Sequence, residues 1–281
     1  MAHAKSMPNN HLSAHSKLTQ LIGLGEKIAM LTCYDATFAK LSAAAGVDIL
    51  LIGDSLGMVL QGADNTLGVT MQDMIYHTRC VSAGAPSTWL IADMPVSSYD
   101  NPEQAYTNAK RLIDAGAHMV KLEGGGAMVE IARHLVDHHI PVCAHLGFTP
   151  QSVQQLGGYK IQGKTEDGAK RITSDAVAMS NAGVGFVLLE MVPAALAKQI
   201  TSSIPTPTIG IGAGPDCSGQ VLVLQDLLGI YNGPAHKNPS DFKSPRFVHN
   251  FLQGASSVQA AVSAYVQAVK QKTFPAPEHC Y

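Results

Sequence analysis

The chain has 281 residues, of which 46% are hydrophobic and 14% are charged. This is enough to fill one large core, and single α/β barrels commonly have ~250 residues. The formal net charge of -2, without a cluster of Lys and Arg, excludes an electrostatic footprint for nucleic acid or an anionic membrane surface. We therefore expect small-molecule partners.

The cysteine pattern and the N-terminal stretch predict a cytoplasmic protein. The five cysteines never form a Cys-x-x-Cys pair, so neither a zinc site nor a disulfide framework is indicated. No apolar run approaches the ~20 residues that a membrane helix needs. Residues 1–16 lack the apolar core of a signal peptide, and the first arginine is Arg79. We interpret residues 1–16 as a disordered tail or a remnant of cloning.

From residue 28 onward, short apolar runs alternate with longer segments of helical period, which predicts βαβ units and a parallel sheet. Eight runs fit an α/β fold of the (β/α)8 TIM barrel type, forming one domain over residues 17–281. A doubly wound open sheet is the alternative. The predicted strands are residues 28–32, 49–53, 88–93, 119–123, 142–146, 186–190, 208–211 and, most weakly, 227–230.

Helices are predicted between these strands, and most end at Gly or Pro. Residues 246–270 have the spacing of a closing C-terminal helix, and residues 233–245, with three prolines, form a loop. The other predicted helices are residues 37–45, 70–83, 102–115, 126–136, 167–181, 193–202 and 218–225.

Polar side chains stand at the ends of five predicted strands. In a parallel barrel, reacting groups collect where strands end, and side chains two apart on a strand face the same way, as Lys121 and Glu123 would. Acids converging there would repel one another unless a hard cation such as Mg²⁺ were bound. The residues are Asp54, Asp93, Lys121, Glu123, His145 and Glu190.

Simpler interpretations exist for each of these residues. A single strand-end acid can be a helix cap or a solvated charge. Lys121 can form a Schiff base, as in some aldolases, but its position beside a predicted metal ligand favours an electrostatic role. An isolated histidine such as His145 is often a hydrogen-bonded core group. Residues 157–160 lie in a long loop and are a candidate lid.

Gly53-x-Ser55-x-Gly57 also matches the nucleophile elbow of serine hydrolases. A nucleophilic serine needs a histidine base that is itself oriented by a carboxylate. The related Gly-Asp-Ser-Leu hydrolases carry Asp-x-x-His near the C-terminus, and no Asp in this chain has His three residues later. The hydrolase hypothesis is therefore disfavoured.

Several short motifs occur in a fixed order along the chain. They are Thr32-Cys33-Tyr34-Asp35, Gly53-Asp54-Ser55-Leu56-Gly57-Met58, Tyr76-His77-Thr78, Ala92-Asp93-Met94-Pro95, Val120-Lys121-Leu122-Glu123-Gly124-Gly125, His145-Leu146-Gly147-Phe148-Thr149-Pro150-Gln151-Ser152, Gly157-Gly158-Tyr159-Lys160, Leu189-Glu190 and Ile209-Gly210-Ile211-Gly212-Ala213-Gly214. In this order they resemble the ketopantoate hydroxymethyltransferase family, from about residue 27 to the end. Gly62 to Gly68 follows the family pattern only loosely, and residues 233–245 look longer than usual.

The resemblance implies a (β/α)8 barrel that transfers a hydroxymethyl group from 5,10-methylenetetrahydrofolate to 3-methyl-2-oxobutanoate, giving 2-dehydropantoate for pantothenate biosynthesis. It also implies Mg²⁺, which stabilises an enolate, and a homodecamer. Glu190 matches the catalytic base, and the other matching residues are metal ligands (Asp54, Asp93, Glu123) and substrate-binding residues (Asp54, Ser55, Asp93, Lys121).

Two other function classes remain open at this point. The first is another Mg²⁺-dependent lyase or aldolase barrel acting on 2-oxo acids, such as the isocitrate lyase and phosphoenolpyruvate mutase group. Those enzymes are expected to carry a catalytic cysteine loop, and no cysteine here lies in such a motif. The second is a barrel that senses a keto acid without catalysis.

Overall fold

The computed structural model describes residues 10–281, with side chains from residue 14 onward. Eight parallel strands pair in chain order and close into a barrel, because the last strand also pairs with the first. The predicted (β/α)8 barrel is confirmed, and the open sheet is excluded. The strands are β1 (Ile28–Thr32), β2 (Ile49–Ile52), β3 (Trp89–Asp93), β4 (Met119–Glu123), β5 (Val142–Gly147), β6 (Phe186–Glu190), β7 (Thr208–Ile211) and β8 (Gly219–Leu222).

Helices follow most strands and cover the outside of the barrel. Several begin at side-chain caps: Asp35 Oδ1 accepts hydrogen bonds from the amides of Thr37 (2.8 Å) and Phe38 (2.9 Å), and Thr70 and Asp73 form a capping box. The helices are α1 (Asn10–Gly23), α2 (Ala36–Ala44), α3 (Leu56–Val59), α4 (Met71–Gly84), α5 (Pro102–Asp114), α6 (Met128–Asp137), α7 (Glu166–Asn181), α8 (Ala194–Ser203), α9 (Leu224–Leu227) and α10 (Val258–Lys270).

The closing strand lies earlier in the chain than the sequence predicts. Residues 218–225 contain strand β8 and the start of α9, and residues 227–230 are not a strand, so both of those predictions are wrong. A Cβ on Gly219 would lie 2.5 Å from the carbonyl oxygen of Ile28. Glycine therefore lets β8 approach β1 closely enough to complete the barrel.

Helix α1 corrects the prediction for the N-terminal residues. Residues 10–16, predicted as a tail, belong to α1, whereas residues 1–9 lie outside the described residues. Ala14 and Leu18 are buried one helical turn apart, and the His15 ring lies 5.7 Å from that of Trp89. Because Trp89 begins β3, this helix packs at the amino-terminal end of the strands.

The closing helix is shorter than predicted. It begins only after residue 257, where the Ser257 side chain accepts from the amide of Ala260 (3.1 Å). Residues 246–257 form turns instead of helix, and Gly254 has a φ of 83°, which interrupts a helix. Residues 233–245 are irregular apart from a short 3₁₀ turn at Pro239–Asp241. Within residues 10–281, no helix has the length and apolarity required to cross a membrane.

Candidate active site

The strand-end residues meet in one cavity at the carboxyl ends of the strands. The register places Asp93 beside Lys121 on neighbouring strands, and Glu123 beside His145. The cavity has a volume of about 600 Å³. All seven predicted site residues line it: Asp54, Ser55, Asp93, Lys121, Glu123, His145 and Glu190.

Lys121 lies among the acids. Its Nζ is 3.1 Å from Asp93 Oδ2 and 3.6 Å from Glu123 Oε1. Burial alone would lower the pKa of Lys121, but the carboxylates of Asp93, Glu123 and Asp54 outweigh it and raise that pKa above its ordinary value. These surroundings favour the ammonium form, which suits an electrostatic role and opposes a Schiff-base nucleophile, since that must be a neutral amine.

His145 joins the acidic cluster to Glu190. Its Nδ1 lies 3.2 Å from Glu123 Oε1, and its Nε2 lies 3.2 Å from Glu190 Oε2. Burial and Lys121 act to lower the pKa of His145, but Glu123 and Glu190 outweigh them and raise it to about 9. His145 thus lies between two carboxylates, which its isolated place in the sequence could not show.

The carboxylates carry more negative charge than Lys121 balances. Burial, followed by repulsion from Asp93 and Glu123, raises the pKa of Asp54 well above its ordinary value. Burial also raises the pKa of Asp93, although Lys121 opposes the shift. Among the described residues, nothing donates a hydrogen bond to the buried Asp93 Oδ1. A hard cation bound to these carboxylates would balance their excess negative charge.

The three predicted metal ligands lie close together, but their side chains do not form a complete metal-binding site. Over the part of the chain that the structure describes, no three His, Cys, Asp or Glu side chains are arranged to hold a metal ion. Asp93 Oδ2 instead accepts a hydrogen bond from the amide of Asp54 (3.0 Å) and contacts Lys121. The donor set still suits Mg²⁺, which prefers oxygen ligands and keeps several waters.

Gln151 is a site residue that strand-end reasoning missed. It lies in a 3₁₀ turn after β5, and its Nε2 donates to Asp54 Oδ2 (2.8 Å). Its backbone amide donates to Glu123 Oε2 (2.9 Å), and its Oε1 accepts from the Tyr99 hydroxyl (2.5 Å). Gln151 thereby fixes two of the acids. The only sequence signal for it was its place in the motif that begins at His145.

Ser55 has a phenol as its partner. Its Oγ lies 2.9 Å from the Tyr34 hydroxyl, so its hydrogen bond supplies no general base for a serine nucleophile. The Nδ1 atom of His77 lies 2.7 Å from the backbone carbonyl oxygen of Tyr34. The geometry fits Ser55 as a hydrogen-bonding group at the cavity wall.

Two loops and α9 form the outer wall of the cavity. The Tyr159 ring packs 5.1 Å from that of Phe148, and its hydroxyl lies 3.7 Å from Met58 Sδ. The candidate lid at residues 157–160 therefore contacts the segment after β2. Across the mouth lie Asp226 on α9 and the loop of residues 233–245. From the sequence, Asp226 was considered only as the acid of the disfavoured serine-hydrolase triad.

Comparison with known proteins decides the family. The family model for ketopantoate hydroxymethyltransferase matches residues 13–277. The chain belongs to the ketopantoate hydroxymethyltransferase family. It is 59% identical over 259 residues to a 3-methyl-2-oxobutanoate hydroxymethyltransferase of Azoarcus sp. (strain BH72), covering 92% of each chain. It is 56% identical over 267 residues to that of Thiobacillus denitrificans, covering 95% of this chain and 98% of the relative.

Membership in this family confirms the predicted activity. The chain is an enzyme that transfers a hydroxymethyl group to 3-methyl-2-oxobutanoate. This finding disfavours both the lyase and the sensor hypotheses. The motifs that carried the resemblance include the strand ends at Asp54, Asp93 and Glu123, which the cavity brings together.

Solved structures also share the barrel fold of this chain. A crystal structure of 2,3-dimethylmalate lyase, from the phosphoenolpyruvate mutase and isocitrate lyase superfamily, has a TM-score of 0.53 at 20% identity, covering 70% of this chain and 71% of that one. Phosphonopyruvate hydrolase in complex with oxalate and Mg²⁺ has a TM-score of 0.59 at 13% identity, covering 75% and 80%. At these identities the likeness concerns the barrel fold alone.

Proposed function

We propose that the enzyme takes its one-carbon unit from 5,10-methylenetetrahydrofolate and joins it to an enolate of 3-methyl-2-oxobutanoate, with Glu190 as the base. The product is 2-dehydropantoate, a precursor of pantothenate. The observation that carries this proposal is the continuous set of contacts from Asp93 through Lys121, Glu123 and His145 to Glu190. It places cationic groups beside the group that would remove a proton.

The keto acid would bind at the inner end of the cavity. Lys121 is a protonated donor for a carboxylate or an enolate oxygen. Ser55 can donate to the same acid, and Asp54 and Asp93 flank it. Only the part of each interaction that strengthens as the enolate forms would accelerate the reaction.

Asp54, Asp93 and Glu123 are the residues that would hold Mg²⁺. The raised pKa of Asp54, caused by burial and by its acidic neighbours, supports this assignment, as does the unpartnered Asp93 Oδ1 among the described residues. When bound, Mg²⁺ would supply positive charge that favours ionisation next to a keto group. Phosphonopyruvate hydrolase, which shares the fold, binds Mg²⁺ together with oxalate, a small anion with adjacent carboxylates.

Glu190 would take the proton from C3. It ends β6, and its side chain is 14% exposed, which leaves it open to the cavity. His145 Nε2 lies 3.2 Å from one of its carboxylate oxygens. A partly buried carboxylate is the kind of group that serves as a general base.

Two further proposals concern the environment of the enzyme. We propose a cytoplasmic location, which the five free thiols support because they suit a reducing compartment. We also propose a homodecamer. Its support is the resemblance to the family, together with large apolar side chains that lie exposed on the single chain, among them Leu24, Tyr76 and Ile230.

Deuterium exchange at C3 of 3-methyl-2-oxobutanoate tests the proposed chemistry without the folate donor. In D₂O we expect the protein to catalyse this exchange when Mg²⁺ is present and to lose it when the metal is chelated. Proton NMR of the C3 position measures the rate. Folded, metal-loaded protein that binds the acid and exchanges nothing would contradict the proposal and would favour a keto-acid sensor.

A further inference from the structure

Asp226 is an acid in the cavity that the proposed chemistry at C3 does not use. It lies on α9, which begins directly after β8 and is anchored where the Leu224 amide donates to Thr32 Oγ1 (2.9 Å). Its side chain lines the same cavity as Glu190. Within residues 10–281, its carboxyl accepts no hydrogen bond, whereas Glu123 and Asp54 in the inner site accept hydrogen bonds from Gln151.

Three groups interact electrostatically with Asp226, and none of the three is a cation. They are Glu190 at the end of β6, Tyr34 after β1 and Tyr231 after α9. Burial, followed by repulsion from Glu190, raises the pKa of Asp226 to about 7. A carboxyl that keeps its proton near neutral pH can act as a general acid.

The donor half of the reaction needs an acid and a base. The methylene carbon of 5,10-methylenetetrahydrofolate is bound to two nitrogens, and an amine leaves readily only when it is protonated. C3 of the keto acid carries a single hydrogen, so after coupling it has none left to eliminate. The oxygen of the new hydroxymethyl group therefore comes from water, which must lose a proton as it adds.

We propose that Asp226 is the acid–base residue that opens the folate donor. Asp226 gives its proton to one bridging nitrogen while that C–N bond breaks, and the electron pair stays on this nitrogen. The other nitrogen then holds the carbon as an iminium. Water adds its oxygen to that carbon, the C=N π electrons return to nitrogen, and the proton from water goes to the Asp226 carboxylate. The same carboxyl then protonates the second nitrogen as its C–N bond breaks and takes up the hydroxyl proton, which releases tetrahydrofolate and leaves bound formaldehyde. The enolate carbon adds to this formaldehyde, and the proton that Glu190 took from C3 goes to the new alkoxide. Asp226 therefore ends the sequence protonated, as it began.

This inference rests on the proposed function, since it assumes that a reduced folate is the donor. Two features of the cavity support it. The donor side has its own acid, separate from the cluster that surrounds Lys121. Aromatic rings stand beside that acid, with Tyr231 and Phe242 in edge contact at 5.2 Å, and such rings suit a flat heteroaromatic ligand.

Asp226→Asn and a change of donor test the assignment. With 5,10-methylenetetrahydrofolate, we expect kcat to fall at least ~100-fold, the usual size of a general acid–base contribution. With formaldehyde as donor there is no C–N bond to open, so we expect the unsubstituted protein to use it and the variant to lose less than about threefold. Asp226→Glu keeps a carboxyl, so its folate-dependent rate should be at least about tenfold higher than that of Asp226→Asn.

Asp114→Asn, an exposed exchange of the same kind on α5, is the matched control and should match the unsubstituted protein with both donors. C3 exchange by Asp226→Asn reports that the variant is folded. An equal loss with both donors, an unchanged rate with the folate, or failure of the unsubstituted protein to use formaldehyde would overturn this assignment. Absence of C3 exchange in the unsubstituted protein would instead overturn the proposed function.

Discussion

Charge balance dominates the site at the residue scale. Asp54, Asp93 and Glu123 are all at most 6% exposed, and Lys121 is the cation placed among them. Burying several charges is costly unless they are paired and hydrogen-bonded. Gln151 contributes by bonding both Asp54 and Glu123. Lys121 and Gln151 therefore stabilise the buried carboxyl groups of the site. Lys121 alone does not balance their negative charge, so a further cation can bind there.

Glu190→Gln tests the base at this scale. The amide keeps the size of the side chain but cannot accept the C3 proton, so we expect exchange to fall at least ~100-fold. Binding of 3-methyl-2-oxobutanoate, measured by calorimetry with Mg²⁺, should change little. Glu166→Gln, an exposed exchange on α7, is the control and should leave exchange unaltered. Exchange that persists in Glu190→Gln would remove Glu190 as the base.

The strand-end residues could be located from the sequence because their positions follow from the alternation along a strand. Lys121 and Glu123 are two apart on β4, and both reach the cavity. Gln151 and Asp226 were not found because each lies on a short helical segment after its strand. Their direction depends on how those segments pack, which no local pattern specifies.

At the scale of elements, the hydrophobic period of the sequence located strands β1 to β7 but not β8. Seven strands lie within about one residue of their predicted bounds. β8 begins at Gly219 and Gln220, which have low strand preference, and its pairing depends on a close approach to β1. Non-local closure of this kind leaves no periodic signal. The late start of α10 has a similar origin, since Phe247 and Phe251 pack against the core from turns.

Tyr265→Phe tests how α10 secures the closure of the barrel. The buried Tyr265 hydroxyl contacts the carbonyl oxygens of Met30 (2.7 Å) and Gln220 (3.0 Å), on the two strands that close the barrel. Removing it leaves buried acceptors without their donor, so we expect the free energy of unfolding to fall by about 1–3 kcal/mol. Urea denaturation followed by circular dichroism measures this change.

Tyr76→Phe is the matched control, because Tyr76 is 65% exposed. Its free energy of unfolding should stay within about 0.5 kcal/mol of the unsubstituted protein. An equal effect in the two variants would show that the contacts of Tyr265 with β1 and β8 add nothing to stability.

At the scale of the whole molecule, the single chain leaves apolar side chains on its surface. Leu24 and Tyr76 are each 65% exposed, and Ile230 is 54% exposed. Sedimentation equilibrium should give a mass about ten times the 29.6 kDa of one chain. A mass equal to one chain at micromolar concentration would contradict the homodecamer.

Transfer of a labelled carbon tests the central claim most directly. The protein would be incubated with Mg²⁺, 3-methyl-2-oxobutanoate and 5,10-methylenetetrahydrofolate carrying ¹³C in its methylene bridge. We predict that the label appears as the hydroxymethyl carbon of 2-dehydropantoate, with one tetrahydrofolate released for each product. Label that stays in the folate, while the folded protein binds the keto acid, would contradict the account.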